Sequence, residues 1–271
     1  MTIPEQAHLD RIRQRFTESA EPFAQFALSG RAGEATRLAE MVTADLPGRA
    51  TSRAVDIACG PGTFARALAG RLAHVVGADF TPQMIEQARQ MLLREHLTNV
   101  SFVCADAYAL PFADRTFDVA VCCYALHHLL DPLRALREMA RLLRDGGRLA
   151  IADLLLPDDA DAEAHNRIER ERDPSHASTL RDADIRRLLA SAGLRVSAAE
   201  HHERQREFDQ WMHIAGVSAG SRTYANTRRL VEDCLVNDTA RIKPSLDVTT
   251  GELKFTQTVL FVVAAKPARK E

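Results

Sequence analysis

The residues most able to do chemistry gather around one short stretch, VDIACGPGTFARAL (55–68), in which Asp56 precedes a pair of glycines, Gly60 and Gly62. Glycines at a strand-to-helix turn let a ligand approach the backbone closely, and the amides opening the helix attract polar groups. The turn matches G-x-G-x-x-A at Gly60, Gly62 and Ala65, and Asp79 follows at the end of HVVGAD. An acid about 20 residues past such a turn can hold ribose hydroxyls, as in nicotinamide or flavin enzymes. A P-loop is excluded, because no G-K-[ST] follows the glycines. Asp56 could receive an ammonium or organise the amides of the turn. After Asp79 come Phe80 and Met84, an aromatic and a thioether able to flank an adenine, and a further acid, Asp106, follows VSFVC.

Proton-transfer candidates are Tyr124, His127, His128, Asp153, His165, His176, His201 and His202. Tyr124, His128 and His176 are the expected catalytic set. Of the adjacent His127 and His128, one should face a cleft, and His128 is the expected one. His201-His202 lacks a third ligand at useful spacing, so no metal site is expected.

These residues need a scaffold of alternating strands and helices. Strand-like runs occur at 54–59, 74–79, 100–106, 117–123, 148–155, 194–200 and 256–266, with helical segments between most of them. Such alternation implies a doubly wound, mainly parallel sheet. Ile12, Phe16, Ala20, Phe23 and Phe26 recur at helical spacing ahead of the first strand,. Gly146 and Gly147 are expected to close the helix around 132–144, and Asp182 or Asp184 to cap a helix before the sixth strand. The expected domains are an N-terminal helical lid (1–48), a core (49–202 and 252–271), and an insertion serving as substrate cap at 203–251.

Composition narrows the function classes. The 271 residues are 46% hydrophobic and 27% charged, with net charge −2, which fits a globular protein and argues against a general nucleic-acid or membrane-surface binder. The start, MTIPEQAHLDRIRQRF, has no apolar signal region, and no apolar run is long enough to span a bilayer. The five cysteines lack C-x-x-C spacing, so reduced thiols and a cytoplasmic location are expected. Arginine supplies most of the positive charge, a usage that fits a GC-rich bacterial genome.

DIACGPG, GADFTPQMIEQAR, CADAYALPFADRTFDVAVCCYALHHLLDP and LREMARLLRDGGRLAIAD together resemble class I S-adenosylmethionine-dependent methyltransferases, most closely the ubiquinone/menaquinone-biosynthesis type. The resemblance is strong over about residues 50–155. It implies a Rossmann-like seven-stranded sheet with an antiparallel last strand, S-adenosyl-L-methionine as cofactor and a small-molecule methyl acceptor. It also implies that Asp56, Ala58, Gly60 and Gly62 touch the methionine end, with Ala58 standing where glycine is commoner. Asp79 would take the ribose hydroxyls; Phe80 and Met84 would pack on adenine; Asp106 and the Ala107 amide would meet its edge. Tyr124 would lie near the sulfonium, and Phe16 on the preceding helix would help cover the cofactor. The competing readings are a nicotinamide-dependent oxidoreductase and a non-catalytic methyltransferase-like protein that binds the cofactor. The acceptor is expected above the fourth and fifth strands, over Tyr124, His128 and Asp153. Its pocket should be mostly apolar, closed by chain from 8–28, 157–180 and 203–251.

Overall fold

The computed structural model describes residues 5–268; the outermost parts of the expected first and last segments, 1–4 and 269–271, lie outside them. Five strands, β1 (Arg53–Ile57), β2 (His74–Asp79), β3 (Val100–Cys104), β4 (Phe117–Cys123) and β5 (Leu143–Leu155), run parallel. Two long strands, β6 (Arg195–Glu207) and β8 (Leu253–Ala265), complete the sheet in the order β3-β2-β1-β4-β5-β8-β6, with β8 antiparallel to both neighbours. The expected architecture is present, with one addition: a two-residue strand, β7 (Ser245–Leu246), pairs with β8.

Alternation along the strands explains why both faces are covered. Val55, Ile57, Ala120, Cys122, Leu149 and Ile151 bury against one face, with α6 (Pro132–Leu142) and α8 (Asp182–Ser191). Their neighbours Ala54, Val119, Val121, Ala150 and Ala152 bury against the other, with α3 (Ala32–Thr43) and α4 (Thr63–Ala69). A sheet buried on both faces needs apolar residues at successive positions, which is why these strands read as continuous hydrophobic runs.

The helical stretch before β1 divides into α1 (Glu5–Glu18), α2 (Ala20–Gly30) and α3. Beyond β5, α7 (Ala162–Arg172), α9 (Phe208–Ile214) and α10 (Arg222–Asp233) build a third core around Ile168, Phe208, Trp211, Met212, Val231 and Phe255. Two expected caps differ. Helix α6 ends at Leu142, and Gly146 (φ +80°) and Gly147 lie inside β5, where the register with β4 shifts. Gly147 is required there because a Cβ would stand 2.9 Å from the Arg144 carbonyl and 3.1 Å from that of Asp118. Arg181 occupies the N-cap of α8, and Asp182 and Asp184 fall within its first turn. Among the described residues no helix is long and apolar enough to cross a membrane.

Candidate active site

The strand order switches sides at β1, with β2 and β3 on one side and β4 and β5 on the other, and the C-terminal strand edges there open into a cleft, the expected ligand position of such sheets,. The cleft contains about 940 Å³ of empty space, its open mouth included, at the upper end of small-ligand sites. The ends of β1 and β4 carry non-glycine residues in the left-handed region, Ala58 (φ +53°) and Tyr124 (φ +55°). Such conformations cost about 1–3 kcal/mol each and cluster at functional sites.

The glycine turn is held by two carboxylates. Asp79 accepts from the Gly60 amide through Oδ2 and from the Thr81 amide through Oδ1, both at 2.8 Å. Burial pushes its pKa up despite these two donors. Asp56 accepts from the Ala65 amide at 2.9 Å, so it organises the first turn of α4, while its Oδ1 is buried with no partner among the described residues. Burial lifts the Asp56 carboxyl to about 8. Gly62 packs beneath the turn, where a Cβ would stand 2.9 Å from Met91 and from Phe102.

Phe16, Ala58, Gly60, Asp79, Phe80, Met84, Asp106, Ala107, Tyr124 and His128 all line the cleft; Asp56, Gly62 and His176 do not. Leu9, Ile12 and Phe16 of α1 and Phe23 and Ala27 of α2 supply part of its wall. The Arg13 guanidinium sits 4.3 Å from the Phe80 ring centroid. Asp106 turns one oxygen to the Tyr108 amide at 2.9 Å.

A second chamber adjoins the cleft, and Phe16, Phe23, Arg31, Tyr124 and His128 border both. Trp211 and Gln257 line it, as does His127. The expected apolar character is only part of its nature. Arg15, Arg31, Arg172 and Arg206 also line it, converging from α1, the α2–α3 junction, α7 and β6. They are far apart in sequence, so no local pattern announces them.

The histidines sort themselves by their partners. His127 Nδ1 bonds the buried Asp153 carboxylate, whose other oxygen accepts from the Leu126 amide at 2.7 Å. Burial acts to raise the Asp153 pKa, but His127 and the Leu154 amide hold it below the usual carboxylate value. Because a carboxylate can only accept, His127 donates its Nδ1–H to Asp153, and its Nε2 has no hydrogen-bond partner among the described residues,. His128 donates Nδ1–H to the Ser175 carbonyl at 3.0 Å; burial, then His127, pulls it down to about 3. His176 donates to Asn166 Oδ1 at 2.8 Å, away from both cavities. The Tyr124 hydroxyl donates to Glu34 at 2.7 Å, and burial pushes the phenol well above its usual pKa.

Comparison with known proteins places this geometry. Residues 55–151 match the model of a methyltransferase domain. The chain is 31% identical to an uncharacterized methyltransferase, YcgJ, of Bacillus subtilis, over 63% of this chain and 68% of that protein. The crystal structure of YcgJ superposes with a TM-score of 0.77 at 26% identity, covering 86% of this chain and 99% of that one. A 27-O-demethylrifamycin SV methyltransferase of Amycolatopsis mediterranei is 35% identical over 61% of this chain and 62% of its own length. A demethylmenaquinone methyltransferase of Clavibacter sepedonicus is 41% identical over 40% of this chain and 43% of its own length.

Proposed function

Because this chain belongs to the class I S-adenosylmethionine-dependent methyltransferases, we propose that its cleft holds S-adenosyl-L-methionine and its second chamber a small organic methyl acceptor. The observation that carries this reading is the junction of the two cavities at Tyr124 and His128, at the strand ends of the sheet. When bound, the cofactor supplies a methyl group on a sulfonium that leaves as a neutral thioether. The chain's own work is to align the partners and exclude water.

The residues present fit that cofactor. Asp79 is poised for ribose hydroxyls, Phe80 and Met84 offer an apolar seat for adenine, and Asp106 with the Ala107 amide can meet its edge. Ala58 and Gly60 leave space beside the turn, and the orphan Oδ1 of Asp56 lies just beneath it. Arg31, whose buried Nε has no partner among the described residues, suits the methionine carboxylate. Helices α1 and α2 wall one side of the cleft.

For an acceptor that must lose a proton, His127 is the base: Asp153 fixes its Nδ1–H and its Nε2 is open on the chamber side,. His127 takes this role ahead of the expected Tyr124, His128 and His176. The Tyr124 phenol is engaged by Glu34, its ring bounding the passage; His128 is held neutral as a wall; His176 is removed from both cavities. The relatives' acceptors, a demethylmenaquinone and a demethylrifamycin by name, support a small organic molecule as the acceptor class. The five free cysteines suit a reducing bacterial cytoplasm,.

Calorimetric titration tests the cofactor: S-adenosylhomocysteine should bind and NADH should not. Tight NADH binding without S-adenosylhomocysteine binding would overturn the reading. Methyl-labelled cofactor incubated with a cell extract, followed by mass identification of the labelled product, then names the acceptor.

A further inference from the structure

The second chamber holds more positive charge than its own walls neutralise. Arg15 meets Asp173 at 3.2 Å and Arg172 meets Glu169 at 3.4 Å, so two of the four lining arginines have acids of their own. Arg31 is committed to the cofactor by the reading above. Arg206 remains. It projects from β6, is only 8% exposed, and donates Nε–H to Gln257 Oε1 at 2.8 Å. Gln257 in turn donates to Glu169 at 2.7 Å, which orients the amide but cancels no charge on Arg206. Among the described residues no carboxylate pairs with Arg206, and its terminal nitrogens have no hydrogen-bond partner. Nearby, the buried Nε of Arg172 is a second donor without an acceptor.

A buried guanidinium without a counter-charge is costly, and a structure that keeps one has a use for it. The chamber lining also includes the apolar side chains Phe26, Leu154, Trp211 and Ile214, and the Arg206 guanidinium lies 5.6 Å from the Phe26 ring centroid. A site with an apolar body and one uncancelled, forked donor fits a ligand with an apolar frame and one planar anionic group.

We propose that the methyl acceptor is a small organic acid whose single carboxylate seats on Arg206, with the Arg172 Nε–H as a further donor and the apolar walls around its frame. The proposal rests on the reading of the second chamber as the acceptor site. A single excess cation favours a monoanion over a phosphate dianion. Burial, with Arg204 and Arg31 adding repulsion, pulls the Arg206 pKa down to about 9, as expected of a cation whose counter-ion arrives with the ligand. The carboxylate is a handle that orients the frame toward the passage at Tyr124.

The test uses protein saturated with S-adenosylhomocysteine and two matched pairs of probes, 4-hydroxybenzoate against 4-hydroxybenzamide and 1-hydroxy-2-naphthoate against its amide. In calorimetry at least one acid should bind about ten-fold or more tighter than its amide. Arg206→Met should erase that preference and Arg206→Lys should retain part of it, both with unchanged S-adenosylhomocysteine affinity. Equal binding of acid and amide, a preference that survives Arg206→Met, or no binding by any probe would overturn the proposal while leaving the cofactor reading intact. Failure of S-adenosylhomocysteine itself to bind would instead sink the cofactor reading, and this proposal with it.

Discussion

The cleft and the second chamber share Phe16, Phe23, Arg31, Tyr124 and His128, yet they are built in opposite ways. The cleft is assembled chiefly from strand ends and the turns that follow them, with α1 and α2 adding a wall, so most of its functional side chains sit a few residues from the strand that positions them. The carboxyl groups that shape its glycine turn are fixed by nearby amides: Asp79 by Gly60 and Thr81, and Asp56 by Ala65. The second chamber draws on α1, the α2–α3 junction, α7, β6, α9 and β8, and its arginines come together from segments far apart in sequence. The Arg15–Asp173 pair, for example, joins α1 to the end of α7. A site made of adjacent turns can stay constant while its neighbour, made of distant elements, changes its specificity.

That contrast implies that the two regions fail separately. The largest effect should come from the chamber's histidine: His127→Gln should lower kcat by about 100-fold or more for a proton-bearing acceptor, as for loss of a general base. Steady-state kinetics beside a cofactor titration checks this, since cofactor affinity should not move; an unchanged kcat would remove His127 from the chemistry. On the cleft side, Asp79→Ala should weaken cofactor binding by about 1.5–3 kcal/mol, because hydrogen bonds to a charged group are lost. A folded variant with unaltered affinity would show that Asp79 is not the ribose acid.

A smaller effect belongs to His128, where the regions meet. Below pH about 6.5 an unfolded chain takes up a proton that folded His128 refuses until about pH 3. Stability should therefore fall as pH drops through that window, by at most about 1.4 kcal/mol per pH unit for each such histidine. Buried His176, also shifted down, acts in the same direction. Melts of the wild type and His128→Gln between pH 7 and 4.5 should show a shallower slope in the variant; equal slopes would contradict the assignment. The smallest effect is at Ala58: Ala58→Gly should stabilise the protein by about 1 kcal/mol, by relieving a left-handed alanine,. Denaturant unfolding measures it, and a destabilised variant would mean that the Ala58 methyl packs to greater benefit than its backbone costs.

The sequence was most legible where function is local. Strand-like apolar runs alternating with helical segments, together with the turn glycines, were enough to derive the parallel strands and the cleft's edge, because strand burial and turn geometry are set by neighbouring residues. The Gly146-Gly147 pair was misread as a helix cap because glycine serves caps and bulges alike, and only the register between β4 and β5 tells them apart. Of His127 and His128, His128 was the one expected to face the cleft, and it does line it. Which ring meets a carboxylate depends on Asp153, 26 residues on and one strand over.

By itself, then, the sequence determined the sheet, the glycine turn and the acids that frame it, since each follows from short-range periodicity and spacing. The tertiary structure alone decided which histidine is held by a carboxylate, where the four arginines converge and which of them lack an acid. Those outcomes depend on pairings between residues as far apart as Arg15 and Asp173. Net charge and composition average over the very pairs that leave Arg206 uncancelled.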